Sequence, residues 1–120
     1  MSSEIFIKRI YEKPESGDGF TILVDRLWPR GIRKEDAFWD AWLKEIAPSA
    51  DLRKWFNHEP EKWPDFKKAY KAELKNSNAM VAFTEYLDSH KIVTLLYAGK
   101  DREHSHVLVL LEVAKKIMKK

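Results

Sequence analysis

The residues best suited to chemistry lie where an apolar run ends at a carboxylate and two arginines. The segment TILVDRLWPRGIRKED, residues 21–36, carries Asp25, Arg26 and Arg30 in quick succession. A guanidinium binds phosphate or carboxylate through two parallel hydrogen bonds, and a neighbouring aspartate can orient it or accept a proton. We therefore predict Arg26 and Arg30 as ligand-binding residues and Asp25 as a catalytic residue. The alternative is a structural ion pair between Asp25 and an arginine that pins the loop.

The shape of this loop is determined by Trp28, Pro29 and Gly31. Pro29 disfavours helical backbone at Trp28, so the chain cannot enter a helix directly after Arg26. Gly31 permits a turn that other residues resist. These residues predict a rigid loop that presents the arginines, and Trp28 is predicted either to contact the ligand or to plug the core.

A second polar stretch, YAGKDREHSH (residues 97–106), follows another apolar run. Gly99 permits close approach of the backbone to a ligand, and Ser105 or Asp101 would cap the final helix. The N-terminus of that helix offers free backbone N–H groups, which favour an anion. We predict Gly99 and Ser105 as ligand-binding residues and His106 as a catalytic residue, because histidine exchanges a proton near neutral pH. The competing interpretation of His106 is a surface or capping residue.

Several reaction classes are excluded or disfavoured by the residues themselves. The chain has no cysteine, which excludes disulfides, thiolate nucleophiles and cysteine-ligated metals. His104 and His106 do not share a helix face and no His-Glu-x-x-His pattern occurs, so no metal is predicted. Neither glycine-rich nucleotide motif is present, so no cofactor is predicted. Ser105 lacks the glycine pattern of a nucleophile elbow, which argues against a triad with His106 and Asp25.

The elements that must position these residues follow from the hydrophobic periodicity. IFIKRIY alternates from Ile5 as a half-buried strand does, while FTILV and IVTLLYA are continuous apolar runs typical of central strands covered on both faces. Helical spacing then predicts five segments: a stripe of Phe38, Trp39, Trp42, Leu43 and Ile46, a short helix capped by Ser49, a helix beginning near Pro64, a helix lined by Met80 and Leu87, and a final helix from Val107 to Ile117.

The order of these elements predicts a small single α/β domain over residues 1–120. The long helical connection between the second and third strands requires a parallel crossover. We expect a mostly parallel sheet of three or slightly more strands, flanked by helices, with a helical insertion between strands 2 and 3. Parallel strands bring the carboxyl ends of FTILV and IVTLLYA to one edge, where open α/β sheets bind ligands.

The charge distribution favours a small anionic ligand over nucleic acid. Four of the 22 basic residues lie in the terminal KKIMKK, which leaves 18 basic against 19 acidic residues elsewhere. The segment LRKWFNHEPEKWPDFKKAYKAEL, residues 52–74, mixes lysines with aromatic residues as some single-strand binders do, but its spacing is that of helices with a buried face. Arg53 and His58 lie where they would close over the ligand edge. No secretion signal or membrane span is visible, which predicts a cytoplasmic protein.

The motifs ILVDRLWPRG, APSADLRKWF, FKKAYKAEL and TLLYAGKDREHSHVLVL resemble the YeaO-like branch of the domain of unknown function 488 family. The resemblance covers nearly the whole chain and implies an α/β fold. The family-matching positions are Asp25, Arg26, Trp28, Pro29, Arg30, Gly31 and His106, whereas Ser105 stands where asparagine is usual. Longer relatives resemble the chain but carry a Cys-His-Arg element before the last helix, and the absence of cysteine rules out thiol chemistry here.

The residues are consistent with three functions. The first is an anion-binding protein, in its enzymatic form a hydrolase or transferase in which Asp25 or His106 moves the proton. The second is a non-catalytic module for nucleotides or nucleic acid. The third is a partner-binding protein in which the DRLWPRG loop is purely structural. The residues do not define the oligomeric state.

Overall fold

A single sheet of four parallel strands organises the protein, and the computed structural model describes residues 4–101 and 103–118. The strands are β1 (Glu4–Arg9), β2 (Phe20–Leu23), β3 (Ala41–Trp42) and β4 (Ile92–Tyr97). Their order across the sheet is β1-β4-β2-β3, and each neighbouring pair is parallel. The predicted α/β fold with a parallel sheet is confirmed, and β2 and β4 are central neighbours.

The four helices are α1 (Ala50–Phe56), α2 (Trp63–Lys75), α3 (Ala79–Ser89) and α4 (His106–Met118), as their apolar periodicity predicts. Ser49 caps α1, since its Oγ accepts the Leu52 N–H at 3.2 Å. None of the helices in the described ranges is long and apolar enough to cross a bilayer. The last two lysines of the basic tail lie outside the described residues.

The predicted helical stripe from Phe38 to Ile46 is wrong. This segment contains the short strand β3 and a 3₁₀ helix, Lys44–Ile46. Trp42 packs on one face of the sheet and Ile46 on the other, which a single helix face would not allow. Asp40 fixes the start of β3, because its Oδ2 accepts the backbone N–H of Thr21 at 2.9 Å.

The two faces of the sheet are covered by different kinds of structure. The helices pack over the face that presents Ile22, Val24, Val93 and Leu95 and bury them in the main core. The opposite face carries a smaller cluster with no helical member among the described residues. It consists of Ile10, Leu23 and Leu96, packed against Ile32, Phe38, Trp39, Trp42 and Ala98. The DRLWPRG loop and its continuation therefore cover this second face.

The connection from β1 to β2 is held by a lysine and a glycine. Lys8 Nζ pairs with Asp18 Oδ2 at 3.0 Å, and the Asp18 carbonyl accepts the Thr94 hydroxyl at 2.7 Å. Gly19 follows with φ of 67°, and a Cβ placed on it would overlap the Ile92 carbonyl oxygen. Only glycine fits between this turn and β4.

Replacing Gly19 by alanine is expected to lower the free energy of unfolding by at least about 2 kcal/mol, because positive φ and a backbone clash combine. Gly17→Ala is the matched control, since nothing lies within 4 Å of its Cβ position. Chemical denaturation of both variants measures the difference. Equal stability of the two variants would contradict the tight turn.

Candidate functional site

Asp25 joins the carboxyl ends of the two central strands. It follows Val24, whose N–H donates to the Leu96 carbonyl at 3.1 Å. The Asp25 Oδ2 atom accepts the backbone N–H of Ala98 at 2.8 Å, just beyond the end of β4. The predicted convergence of the two polar stretches at one sheet edge is therefore present in the structure.

His106 lies against Asp25 at the first residue of α4. Its Nε2 is 3.0 Å from the Val24 carbonyl oxygen and 3.3 Å from Asp25 Oδ1. Both neighbours are acceptors, so Nε2 carries the proton. The Nε2–H donates to Val24, and Asp25 Oδ1, which is buried, accepts no aligned hydrogen bond from the described residues. Asp25 and His106, the two residues predicted as catalytic, thus form one pair with side chains 18% and 17% exposed.

The surroundings of His106 favour its neutral form. Burial lowers the pKa of the His106 imidazole below its ordinary value of 6.5, and the Asp25 carboxylate opposes that effect. The guanidinium of Arg53 lies near enough to lower the pKa of His106 further. Near neutral pH the ring is an uncharged donor at Nε2, and Nδ1 has no partner in the described part of the chain.

The buried ring of Tyr70 packs beside His106. The two rings lie 6.0 Å apart in an edge-on arrangement. The Tyr70 hydroxyl donates to the Ile46 carbonyl at 2.7 Å, and burial strongly raises its pKa, assisted by the carboxylates of Glu73 and Asp25. This hydroxyl is committed to a backbone partner and stays protonated.

Arg26 holds the segment that leads into α1. Its Nε donates to the Pro48 carbonyl at 3.3 Å and its Nη2 donates to the Ala47 carbonyl at 3.2 Å. No carboxylate among the described residues pairs with Arg26, so its charge is not neutralised. Arg26 therefore does not form the structural ion pair with Asp25 that was the alternative prediction. It stabilises a loop by donating hydrogen bonds to backbone carbonyl oxygens.

Ser49 and Glu73 fasten the same segment to α2. Glu73 Oε1 accepts the Ser49 N–H at 2.9 Å, and its Oε2 accepts the Ser49 hydroxyl at 2.6 Å. The start of α1 is thus fixed from two sides. Sequence reasoning identified Ser49 as a cap but gave no signal for Glu73, which lies 24 residues along the chain from Ser49.

Arg53 and His58 follow on α1 and just after it. Both side chains are exposed, and the Arg53 guanidinium has no ion-pair partner in the described ranges. Asn57 and His58 adopt positive φ values of 46° and 56°, which turn the chain sharply away from the helix. Arg53 is therefore a free cation near His106.

Trp28 sits in the loop-covered face of the sheet. Its ring packs edge-on against Trp39 and Trp42, at centroid distances of 5.0 and 5.6 Å, and its Nε1 donates to the Ile32 carbonyl. Trp42 in turn donates to the Asp25 carbonyl at 2.7 Å. Trp28 therefore plugs the core, and its predicted contact with a ligand stays a prediction.

Arg30 is exposed, and the structure uses its backbone rather than its side chain. The Arg30 carbonyl accepts the Tyr11 hydroxyl at 2.9 Å. Gly31 follows with φ of 84°, which supports the predicted turn. No described residue pairs with the Arg30 guanidinium. Its role in ligand binding stays a prediction.

The predicted residues Gly99 and Ser105 lie on either side of one short loop. A Cβ at Gly99 would lie 4.0 Å from Ser105 Oγ, and Ser105 immediately precedes α4. Asp101 instead closes the loop, since its Oδ1 accepts the N–H groups of Glu103 and His104. In the described ranges, no three or more His, Cys, Asp or Glu side chains group to hold a metal ion.

Arg9 is the functional-site candidate that sequence reasoning missed. It ends β1, and its Nε and Nη2 donate to the carbonyls of Gly99 and Ala98 at 3.0 and 2.9 Å. The signal that was available is its position at the carboxyl end of a predicted parallel strand. The same reasoning that selected Asp25 would have selected Arg9.

Comparison with known proteins finds relatives along almost the whole chain. Residues 4–120 match the family model described as the Inactive DUF488-N3 subclade. The Escherichia coli (strain K12) protein YeaO is 43% identical over 105 residues, which are 88% of this chain and 91% of YeaO. The Mycobacterium tuberculosis (strain H37Rv) protein Rv3073c is 37% identical over 111 residues, 92% of this chain and 93% of its own length. The predicted resemblance is confirmed. No solved structure matches the chain significantly.

Arg26→Gln is expected to lower the free energy of unfolding by about 2 kcal/mol, because two charge-assisted hydrogen bonds to carbonyls are lost. Arg30→Gln is the comparison, since the Arg30 side chain has no described partner, and it should change stability by less than about 0.5 kcal/mol. Urea unfolding measures both. A larger loss for Arg30→Gln would reverse the roles assigned to the two arginines.

The stability of the protein is expected to fall as the pH drops below about 6.5. In this range the unfolded chain protonates His106 while the folded chain, in which its pKa is lowered, does not. His106→Gln should therefore flatten the dependence of the melting temperature on pH between about 8 and 5, whereas His58→Gln, at an exposed position, should leave it unchanged. An unaltered slope in His106→Gln would show that His106 is not held neutral.

Proposed function

We propose, because this chain belongs to the Inactive DUF488-N3 subclade, that it is a binding protein that holds a small phosphate- or carboxylate-bearing ligand without turning it over. The ligand would occupy the carboxyl edge of the sheet, beside the Asp25–His106 pair. Arg26 and Arg53 would supply the positive charge, and the N-terminus of α4 would add a favourable dipole.

The observation that carries this proposal is that, among the described residues, no carboxylate pairs with Arg26, which follows Asp25, or with Arg53, which lies near the partly buried His106. Arg26 donates hydrogen bonds from two of its N–H groups to carbonyl oxygens, which fixes the side chain without neutralising its charge. A fixed guanidinium loses little conformational entropy when it binds an anion. The Asp25 carboxylate is turned inward, since its Oδ2 binds Ala98 and its Oδ1 is buried.

Binding without turnover is favoured because the hydroxyl groups of Tyr70 and Ser49 are already engaged in hydrogen bonds. The Tyr70 hydroxyl donates to the Ile46 carbonyl. The Ser49 hydroxyl donates to Glu73 while accepting the Leu52 N–H. With no cysteine in the chain, no thiol replaces them as a nucleophile. The description of the subclade as inactive agrees with this arrangement.

A catalytic function is the second candidate, and the contact of 3.3 Å between Asp25 Oδ1 and His106 Nε2 favours it. In that case Asp25 would orient the imidazole and His106 Nδ1 would act as a general base for an attacking water, in a hydrolytic or transfer reaction. Assays of phosphate and carboxylate esters with the wild type, Asp25→Asn and His106→Gln decide this question. Turnover that both substitutions abolish would establish catalysis, and turnover that survives His106→Gln would exclude this mechanism.

Arg53→Gln is expected to weaken the binding of inorganic phosphate about tenfold, because one of two cations is removed. Lys54→Gln is the matched control: it removes the same charge from an exposed neighbouring position on α1 and should leave the affinity nearly unchanged. Isothermal titration calorimetry at constant ionic strength measures both. If both variants lost the same affinity, the effect would come from the net charge of the protein and not from Arg53. If the wild type bound no phosphate, the proposal for phosphate would be refuted.

Sulfate binding should strengthen as the pH falls from about 7.5 to about 6, because an anion beside His106 favours the imidazolium form. Sulfate keeps its charge throughout this range, so the dependence reports on the protein. The same titration of His106→Gln should show no such trend. An affinity independent of pH in the wild type would place the anion away from His106.

A further inference from the structure

Arg9 reaches the Asp25–His106 pair through the loop that follows β4. β1 does not border β2, because β4 lies between them. The Arg9 guanidinium bridges two successive carbonyl oxygens, those of Ala98 and Gly99, at 2.9 and 3.0 Å. The first residue of this loop is thus held from the β1 side by its carbonyl group.

The same residue, Ala98, binds the pair from the other side. Its backbone N–H donates to Asp25 Oδ2 at 2.8 Å, and this is the only hydrogen bond that the Asp25 carboxylate accepts from the described residues. Asp25 Oδ1 then lies 3.3 Å from His106 Nε2. A displacement of Ala98 would therefore move the Asp25 carboxylate and change its contact with His106.

We propose that Arg9 is a positioning residue for the candidate site. By holding both carbonyls, it fixes the Ala98 N–H that orients Asp25, and through Asp25 it sets the geometry of His106. Its consequence for a ligand rests on the anion-binding function proposed above. The positioning itself does not require a ligand.

The bidentate contact explains why arginine occupies this position. A lysine ammonium would keep the charge but could not reproduce the planar fork across two carbonyls. No carboxylate among the described residues pairs with the Arg9 side chain, so an ion pair does not account for it. Its guanidinium carbon also lies 5.2 Å from the centroid of the Tyr11 ring.

Tyr11 extends the effect of Arg9 to the DRLWPRG loop. The Tyr11 hydroxyl donates to the Arg30 carbonyl, so one set of contacts runs from Arg30 through Tyr11 and Arg9 to Ala98. This arrangement places Arg9 between the two polar stretches of the sheet edge. Tyr11→Phe would remove the hydroxyl contact while leaving the ring under Arg9.

The test is a titration of the His106 imidazole by nuclear magnetic resonance in the wild type, Arg9→Lys and Arg9→Gln. Arg9→Lys keeps the charge, so a change in that variant reports on geometry. The charged and titratable groups that act on His106, namely Asp25 and Arg53, are unaltered in every variant. Arg33→Gln is the control, because Arg33 is exposed and pairs with Asp36 on the surface.

We expect Arg9→Lys to shift the Ala98 amide resonance and to weaken the proton affinity of His106 about threefold, because a displaced Asp25 carboxylate supports the imidazolium less. Arg9→Gln should shift both in the same direction and further. Should Arg9→Gln fail to fold, as judged by circular dichroism, Arg9→Lys alone decides. The proposal would be overturned if Arg9→Lys gave the same His106 titration and the same Ala98 resonance as the control Arg33→Gln.

Phosphate titrations of the same variants separate this inference from the proposed function. If the wild type binds phosphate, Arg9→Lys should bind it about threefold more weakly. If the wild type binds none while the His106 titration still changes in Arg9→Lys, the anion-binding function fails and the positioning role of Arg9 stands. If phosphate binding is intact and the titration does not change, the positioning role fails alone.

Discussion

The arrangement of the sheet edge depends on the contact between the Asp25 carboxylate and His106. A carboxylate taken largely out of water requires hydrogen-bond donors or a cation close by. Ala98 supplies a backbone N–H to one oxygen, and the protonated Nε2 of His106 faces the other. Because His106 also donates to the Val24 carbonyl, this single cluster ties the ends of β2 and β4 to the start of α4. Any ligand at this edge meets a histidine that burial holds neutral.

Around this pair, two arginines stabilise loops by the same physical means. Arg9 binds the carbonyls of residues 98 and 99, and Arg26 binds those of residues 47 and 48. A guanidinium that donates to carbonyl oxygens becomes ordered and keeps its positive charge, unlike one neutralised by a carboxylate. These contacts fix two cations, Arg9 and Arg26, and Arg53 adds an exposed one, while the Asp25 carboxylate faces inward. That combination is the basis of the proposal that the edge binds an anionic ligand.

The sequence alone predicted that the stretches containing Asp25 and His106 meet at one edge, because two apolar runs joined by a long helical crossover are expected to be parallel. Their direct contact came from the structure. It also predicted α1 to α4, whose apolar residues recur with one consistent period. It failed for Trp42, since residues 38–46 fit a helical stripe although they pack on both faces of the sheet. The partners of Arg9 and Arg26 were not predictable. They are backbone carbonyls distant along the chain, and every residue type carries a backbone carbonyl. That the second face is covered by loop residues in the described part of the chain depends on where the aromatic loop packs, which periodicity does not encode.

The tautomer of His106 tests the central claim most directly. Long-range proton–nitrogen correlation spectra of the folded protein near neutral pH distinguish the two neutral forms from imidazolium. The structure predicts a neutral ring that carries its proton on Nε2, with chemical shifts unaffected by substitution at the exposed His58. A ring protonated on Nδ1 alone, or one already charged near neutral pH, would contradict the contacts with Val24 and Asp25 and the site built on them.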